Sequence, residues 1–191
     1  MVGSNGEAGS DGRARAAVRN PWRVVRWGVV ALLLATPLAM MQVSDEWNWD
    51  ALDFVFAAVM MGGVAALYDL AEWASGSRAY RAGVAAALLT SFVTVWAVFV
   101  RDDDTGMQYF LVVMAAMTGA FAAGFRAGGM ARAALGTGVM QALLGIAIAT
   151  APVTAHVANG PVRALATGAF LAACWLFAAA CFHIAARAAR G

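Results

Sequence analysis

Long apolar runs separated by short charged breaks dominate this chain. From residue 24 onward the hydrophobic stretches are Val24–Val43, Ala51–Leu70, Ala82–Val100, Gln108–Arg126, Arg132–Ala151 and Leu165–Ala185. Each approaches the length of about 20 residues that carries an α-helix across a hydrocarbon core. Membrane-spanning strands would show alternating segments of about 10 residues, and no such alternation occurs here. The pattern predicts an all-α, polytopic transmembrane helix bundle of six helices. Phe125 to Arg132, with Gly128-Gly129 inside it, reads as a tight turn between the fourth and fifth spans.

The first 22 residues differ in kind. MVGSNGEAGSDGRARAAVRN is rich in Gly, Ser and charge and has almost nothing large to bury, so residues 1–22 read as a disordered basic arm. Residues 23–191 then form the six-span domain. A cleaved signal peptide fits poorly, because the following apolar segment exceeds the 7–15 residues usual for a signal core.

Composition agrees with the periodicity. Apolar residues make up 62% of the chain against 13% charged, and the mean hydropathy is +0.71. A soluble domain of 191 residues would need far more charge to cover its surface. The formal charge of +2 gives no reason to expect nucleic acid as a partner. The expected partners are the lipid bilayer itself and, beyond it, further copies of the chain or a larger membrane complex.

Charge placement sets an orientation. All 13 basic residues are Arg. With the amino terminus inside, only Arg101 and Arg163 fall on outer loops, and the other eleven fall on inner segments. Positive residues beside a span tend to remain cytoplasmic, so both termini are expected there. Trp22 and Trp27 near one face, and Trp47 and Trp49 near the other, suit the headgroup level.

Chemistry-bearing residues are few. The first outer link, Met41 to Phe54, carries Asp45, Glu46, Asp50 and Asp53 interleaved with Trp47 and Trp49. If the second helix starts near Asp50, that residue and Asp53 share a face one turn apart. Their negative charge complements the helix dipole, which makes a helix cap the simpler reading. A cation or proton site built from Asp50, Asp53 and Glu46 is the functional alternative, since carboxylates near membrane depth are costly and often functional. Arg101-Asp-Asp-Asp104 adds acids to the same side but lacks the ligand spacing of a calcium loop. At the opposite side, Tyr68 to Trp73 meets Arg78, Tyr80 and Arg81 across a Ser-Gly-Ser turn, a setting for ion pairs between helix ends.

Within the spans, Gln141 is the clearest polar residue, and its amide is a candidate interhelical contact. Thr90, Ser91 and Thr94 can bond their own helix carbonyls. Gly119, Ala123, Gly124 and Gly128, with Gly138, Ala142, Gly145 and Ala149, form ladders of small residues that predict close packing of the fourth and fifth spans. His156 and His183 are expected on opposite faces, and Cys174 and Cys181 lack metal-ligand spacing. No phosphate loop, dinucleotide fingerprint or catalytic elbow is present. Neither a cofactor nor a metal nor a catalytic residue is therefore expected.

Several segments together, MQVSDEWNWDALDF, AEWASGSRAYRAGVAAAL, Trp96, MQYF and GMARAALGTGVMQALLGIAIA, resemble an uncharacterised family of small bacterial integral membrane proteins with about six helices. The likeness runs from about Leu38 to Ala149. It implies a multi-pass protein of the bacterial plasma membrane and brings no reaction, ligand or catalytic residue. The stretch from Ala97 to Met107 is shorter than the family's corresponding segment. Two function classes follow: a structural or accessory membrane component, or a small transporter or channel for a cation, proton or apolar solute.

Overall fold

A computed structural model describes residues 21–44, 46–100 and 107–190. Residues 1–20 of the expected basic arm, Asp45 and the acidic stretch from Arg101 to Asp104 lie outside the described residues, while Pro21 and Trp22, the last two residues of that arm, are helical. Among the described residues there are seven helices and no strands. They are α1 (Pro21–Met40), α2 (Ala51–Ala74), α3 (Arg78–Val100), α4 (Met107–Ala122), α5 (Ala127–Thr150), the single turn α6 (Pro152–Ala155) and α7 (Gly160–Ala188). Five of these, α1, α2, α3, α5 and α7, are long and apolar enough to cross a membrane. With 16 residues, α4 is the short one, spanning about 24 Å at 1.5 Å per residue.

The helix boundaries follow local chemistry. Pro21 opens α1, and Pro152 and Pro161 sit in the first turns of α6 and α7, where the missing N–H is no loss. Gly124 ends α4 by taking a φ of +55°. Its N–H donates to Phe121 O, and the Phe125 N–H reaches back to Ala120 O. This is the Schellman closure of a helix, with glycine in the left-handed position. The break therefore falls at Gly124–Arg126, ahead of the expected turn. Gly128 and Gly129 are helical, and α5 begins at Ala127.

Those two glycines serve packing instead of turning. A Cβ on Gly129 would stand 2.7 Å from the Ala123 methyl. Likewise α7 begins at Gly160, five residues before the expected Leu165, because Asn159 adopts a φ of +57° and Pro161 starts the helix.

Contacts divide the chain into two units, one ending at Asp69 and one starting at Leu70. The boundary passes through α2. In the first unit α1 buries only Pro37. The second unit is a packed set of α3, α4, α5 and α7 around a core that includes Tyr80, Trp175, Ala178 and Phe182. Phe182 is fully buried, and its ring meets Tyr80 edge-on at 5.4 Å between centroids. The Tyr80 hydroxyl donates to Phe125 O at 2.8 Å, which satisfies a carbonyl at the α4–α5 break.

Small residues set the helix spacing. Gly119 of α4 packs on Ala133 of α5, as the ladders predict. The second ladder faces elsewhere. A Cβ on Gly145 would lie 2.8 Å from Gly168 Cα, and one on Gly138 would lie 3.3 Å from Trp175 Cβ. Gly138 and Gly145 thus pack against α7, the last span, and not against the fourth. The paired positions run in opposite directions, so α5 and α7 are antiparallel.

Any side chain at the Gly145–Gly168 crossing must push backbone against backbone. Gly168→Val should lower stability in detergent by about 1–3 kcal/mol. Gly136→Ala, where a Cβ would meet nothing within 4 Å, should be neutral or stabilising by up to about 1 kcal/mol. Thermal or chemical unfolding of both variants checks the contrast.

Candidate functional site

Three polar groupings stand out in the apolar frame, and each is built differently. The first lies at the start of α2. Asp50 Oδ1 accepts from the Leu52 N–H at 2.7 Å and the Asp53 N–H at 2.9 Å. Asp53 Oδ2 accepts from the Asp50 N–H at 2.9 Å, and Asp50 O receives the first helical bond, from Phe54 N. This reciprocal arrangement is a capping box written with two aspartates. It satisfies donors that the helix start would otherwise leave unpaired.

Trp47 stacks near Trp49 at 6.5 Å, and Trp49 meets Phe54 edge-on at 5.3 Å. Glu46, also exposed, is tied through its backbone N–H to Ser44 Oγ at 3.3 Å. The fold thus brings Asp50 and Asp53 together. Among the described residues no set of three or more His, Cys, Asp or Glu converges on a point that could hold a metal.

The second grouping joins the amino-terminal end of α1 to the carboxy-terminal part of α2. The Asp69 side chain is only 15% exposed. Its Oδ2 takes the Arg23 Nε at 3.2 Å and the Trp27 Nε1–H at 3.0 Å, while Oδ1 pairs with Arg26 Nη2. The Arg26 guanidinium also lies 4.7 Å above the Tyr68 ring, a cation–π contact. One carboxylate therefore clamps two arginines and an indole from the facing helix.

The sequence pattern sets Asp69 beside Arg78 and Arg81, whereas its partners are Arg23, Arg26 and Trp27. The available signal was the spacing Arg23, Arg26, Trp27, three polar-tipped side chains on one helical face at the same end of the hairpin as Asp69. The neighbouring expectation stands in Glu72, which pairs with Arg81 at 3.7 Å.

The third grouping is inside the second unit. Gln141 is 0% exposed, and neither its amide oxygen nor its amide nitrogen hydrogen-bonds to another protein group. The same holds for the indole nitrogen of Trp175, a residue 3% exposed. Leaving such a group unpaired in an apolar interior costs about 1–3 kcal/mol. Around them the threonines are satisfied locally. Thr90 Oγ1 donates to Ala86 O, Thr94 Oγ1 to Thr90 O and Thr137 Oγ1 to Ala133 O, at 2.7–2.9 Å. Trp175 escaped notice in the sequence, although it lies mid-helix whereas tryptophan prefers the interfaces.

The fold defines a multi-span, all-helical membrane protein. No family model, curated protein or solved structure matches the chain.

Removing the Asp69 carboxylate strands charged donors that share it. Asp69→Ala should cost about 1.5–3 kcal/mol, the range for hydrogen bonds to charged groups, while Asp53→Asn should cost little, because the amide oxygen of Asn can still accept from the Asp50 N–H at this exposed helix start. Unfolding midpoints in one detergent compare them directly. An Asp69→Ala loss no larger than that of Asp53→Asn would contradict the clamp.

Proposed function

We propose that this chain is a structural or accessory component of a membrane, acting through its helices and not through a chemical step. The observation that carries this reading is how its carboxylates are used. Asp50 and Asp53 are engaged with backbone N–H groups, Asp69 with Arg23, Arg26 and Trp27, and Glu72 with Arg81. Each of these groups fixes a helix end. A carboxylate engaged by structural partners is less free to bind and release a substrate.

The plasma membrane of a bacterium, with both termini in the cytoplasm, is the setting that the arginine distribution and the family resemblance favour. Partners in this reading are lipid and either further copies of the chain or a larger membrane complex, met through the apolar faces of helices such as α1, where Leu32 is 69% exposed.

The competing reading is a small transporter or channel whose outer mouth carries Asp50, Asp53 and Glu46. Reconstitution into vesicles separates the two. Wild-type protein and Asp53→Asn should both leave sodium, potassium and proton flux at the level of protein-free vesicles. Flux above that level in the wild type overturns the structural reading, and its loss in Asp53→Asn would assign the outer carboxylates to the pathway.

A further inference from the structure

The interior of the second unit contains two buried side chains, those of Gln141 and Trp175, whose polar atoms have no protein partner. Gly138 of α5 packs on the Cβ of Trp175, and Gly145 of α5 packs on Gly168 of α7. In this antiparallel register Gln141, one turn beyond Gly138, lies opposite Leu171 and Ala172. Long helical side chains lean toward the amino terminus of their own helix. Gln141 therefore leans toward the level of Gly138 and Trp175. Trp175 leans toward the level of Ala172 and Gln141. Because the helices are antiparallel, that rule directs the two side chains toward each other.

A second helix closes the same layer. Near its start, α3 contacts the far end of α7, with Tyr80 and Gly83 both against Phe182. Counting along the antiparallel pair from there brings Thr90 to the level of Trp175 and Thr94 to that of Leu171. Both threonine hydroxyls already donate to backbone carbonyls, so their oxygens can only accept.

The open capacity is thus one amide acceptor, two amide donors and one indole donor. All these groups are uncharged, and among the described residues no Asp, Glu, Arg or His is buried in the unit. This set suits a neutral molecule that both accepts and donates. A bare ion would lose its hydration with no opposing charge to replace it.

We propose that this layer is a binding site for one small neutral hydrogen-bonding guest, a water molecule, which accepts from the Trp175 indole N–H and bonds the Gln141 amide. Buried waters typically serve otherwise unsatisfied polar groups in this way. Gly138 and Ala172 keep the neighbouring side chains small. Both polar groups are cut off from the surface, so the water exchanges only when the helices part and stays far longer than surface water. The proposal is independent of whether the protein acts as a scaffold.

The test is magnetic resonance on protein labelled with nitrogen-15 at tryptophan, with Trp175→Phe identifying the Trp175 indole signal. In the wild type that N–H should show a through-space cross-peak at the water frequency, with the sign of a long-lived water. The peak should vanish in Gln141→Met, which keeps the length of the side chain and removes the amide. Should Gln141→Met fail to fold, the wild-type spectrum still decides. No water contact overturns the proposal, as does contact only with the Gln141 amide protons, which would mean a direct amide–indole bond. A water peak that persists in folded Gln141→Met would remove Gln141 from the site.

Discussion

The contact of Gly145 with Gly168 is the constraint from which the packed unit follows. Lipid tails are as apolar as leucine, so burying apolar side chains does little to bring helices together in a bilayer. Close approach of backbones is what remains, and it needs glycine where the helices cross. With α5 and α7 held at that distance, Gly138 meets Trp175, and Gln141 is carried into the seam, where it is 0% exposed. Phe182 fills the space between α7 and the start of α3, against Gly83 and Tyr80. The position of each large buried ring thus derives from where the small residues let the backbones meet.

Charge has a different task. It is kept out of the packed seam and spent at helix ends, where it satisfies backbone donors or ties one helix to the next. Asp50 and Asp53 close the start of α2, Asp69 clamps α1, and Glu72 reaches Arg81. Charged side chains are expensive at the bilayer centre, and a chain with 13% charged residues can confine nearly all of them to the margins. The exception to this economy of polar groups is the uncharged pair Gln141 and Trp175, which is why that pair carries the ligand proposal.

Much of the fold was legible because apolar run length reports a helix in a membrane with little ambiguity. The end of α4 was not, since Gly124 and Gly128-Gly129 offer the same composition. The left-handed φ of Gly124 and the approach of Ala123 to Gly129 decide which glycine turns and which packs. The ladder at Gly138 and Gly145 showed that a close contact exists, but small residues carry no label for their partner, and α7 proved to be it. The Asp50–Asp53 pairing was readable from spacing alone, because a capping box is local. The Asp69 clamp joins residues 43 and 42 positions apart, and a long-range pairing of this kind has no local signature. Gln141 was recognisable as polar within a span, whereas its lack of a protein partner depends on everything packed around it.

The central claim is the backbone contact between α5 and α7, and carbon-13 labelling of glycine Cα in protein reconstituted into bilayers tests it most directly. Solid-state spectra should show a through-space cross-peak between the Cα atoms of Gly145 and Gly168, each identified by its loss in a single Gly→Ala variant. At short mixing times such a peak requires the two backbones to approach closely at that level. Its absence from a protein with intact helical signals would contradict the packing from which the rest of the account follows.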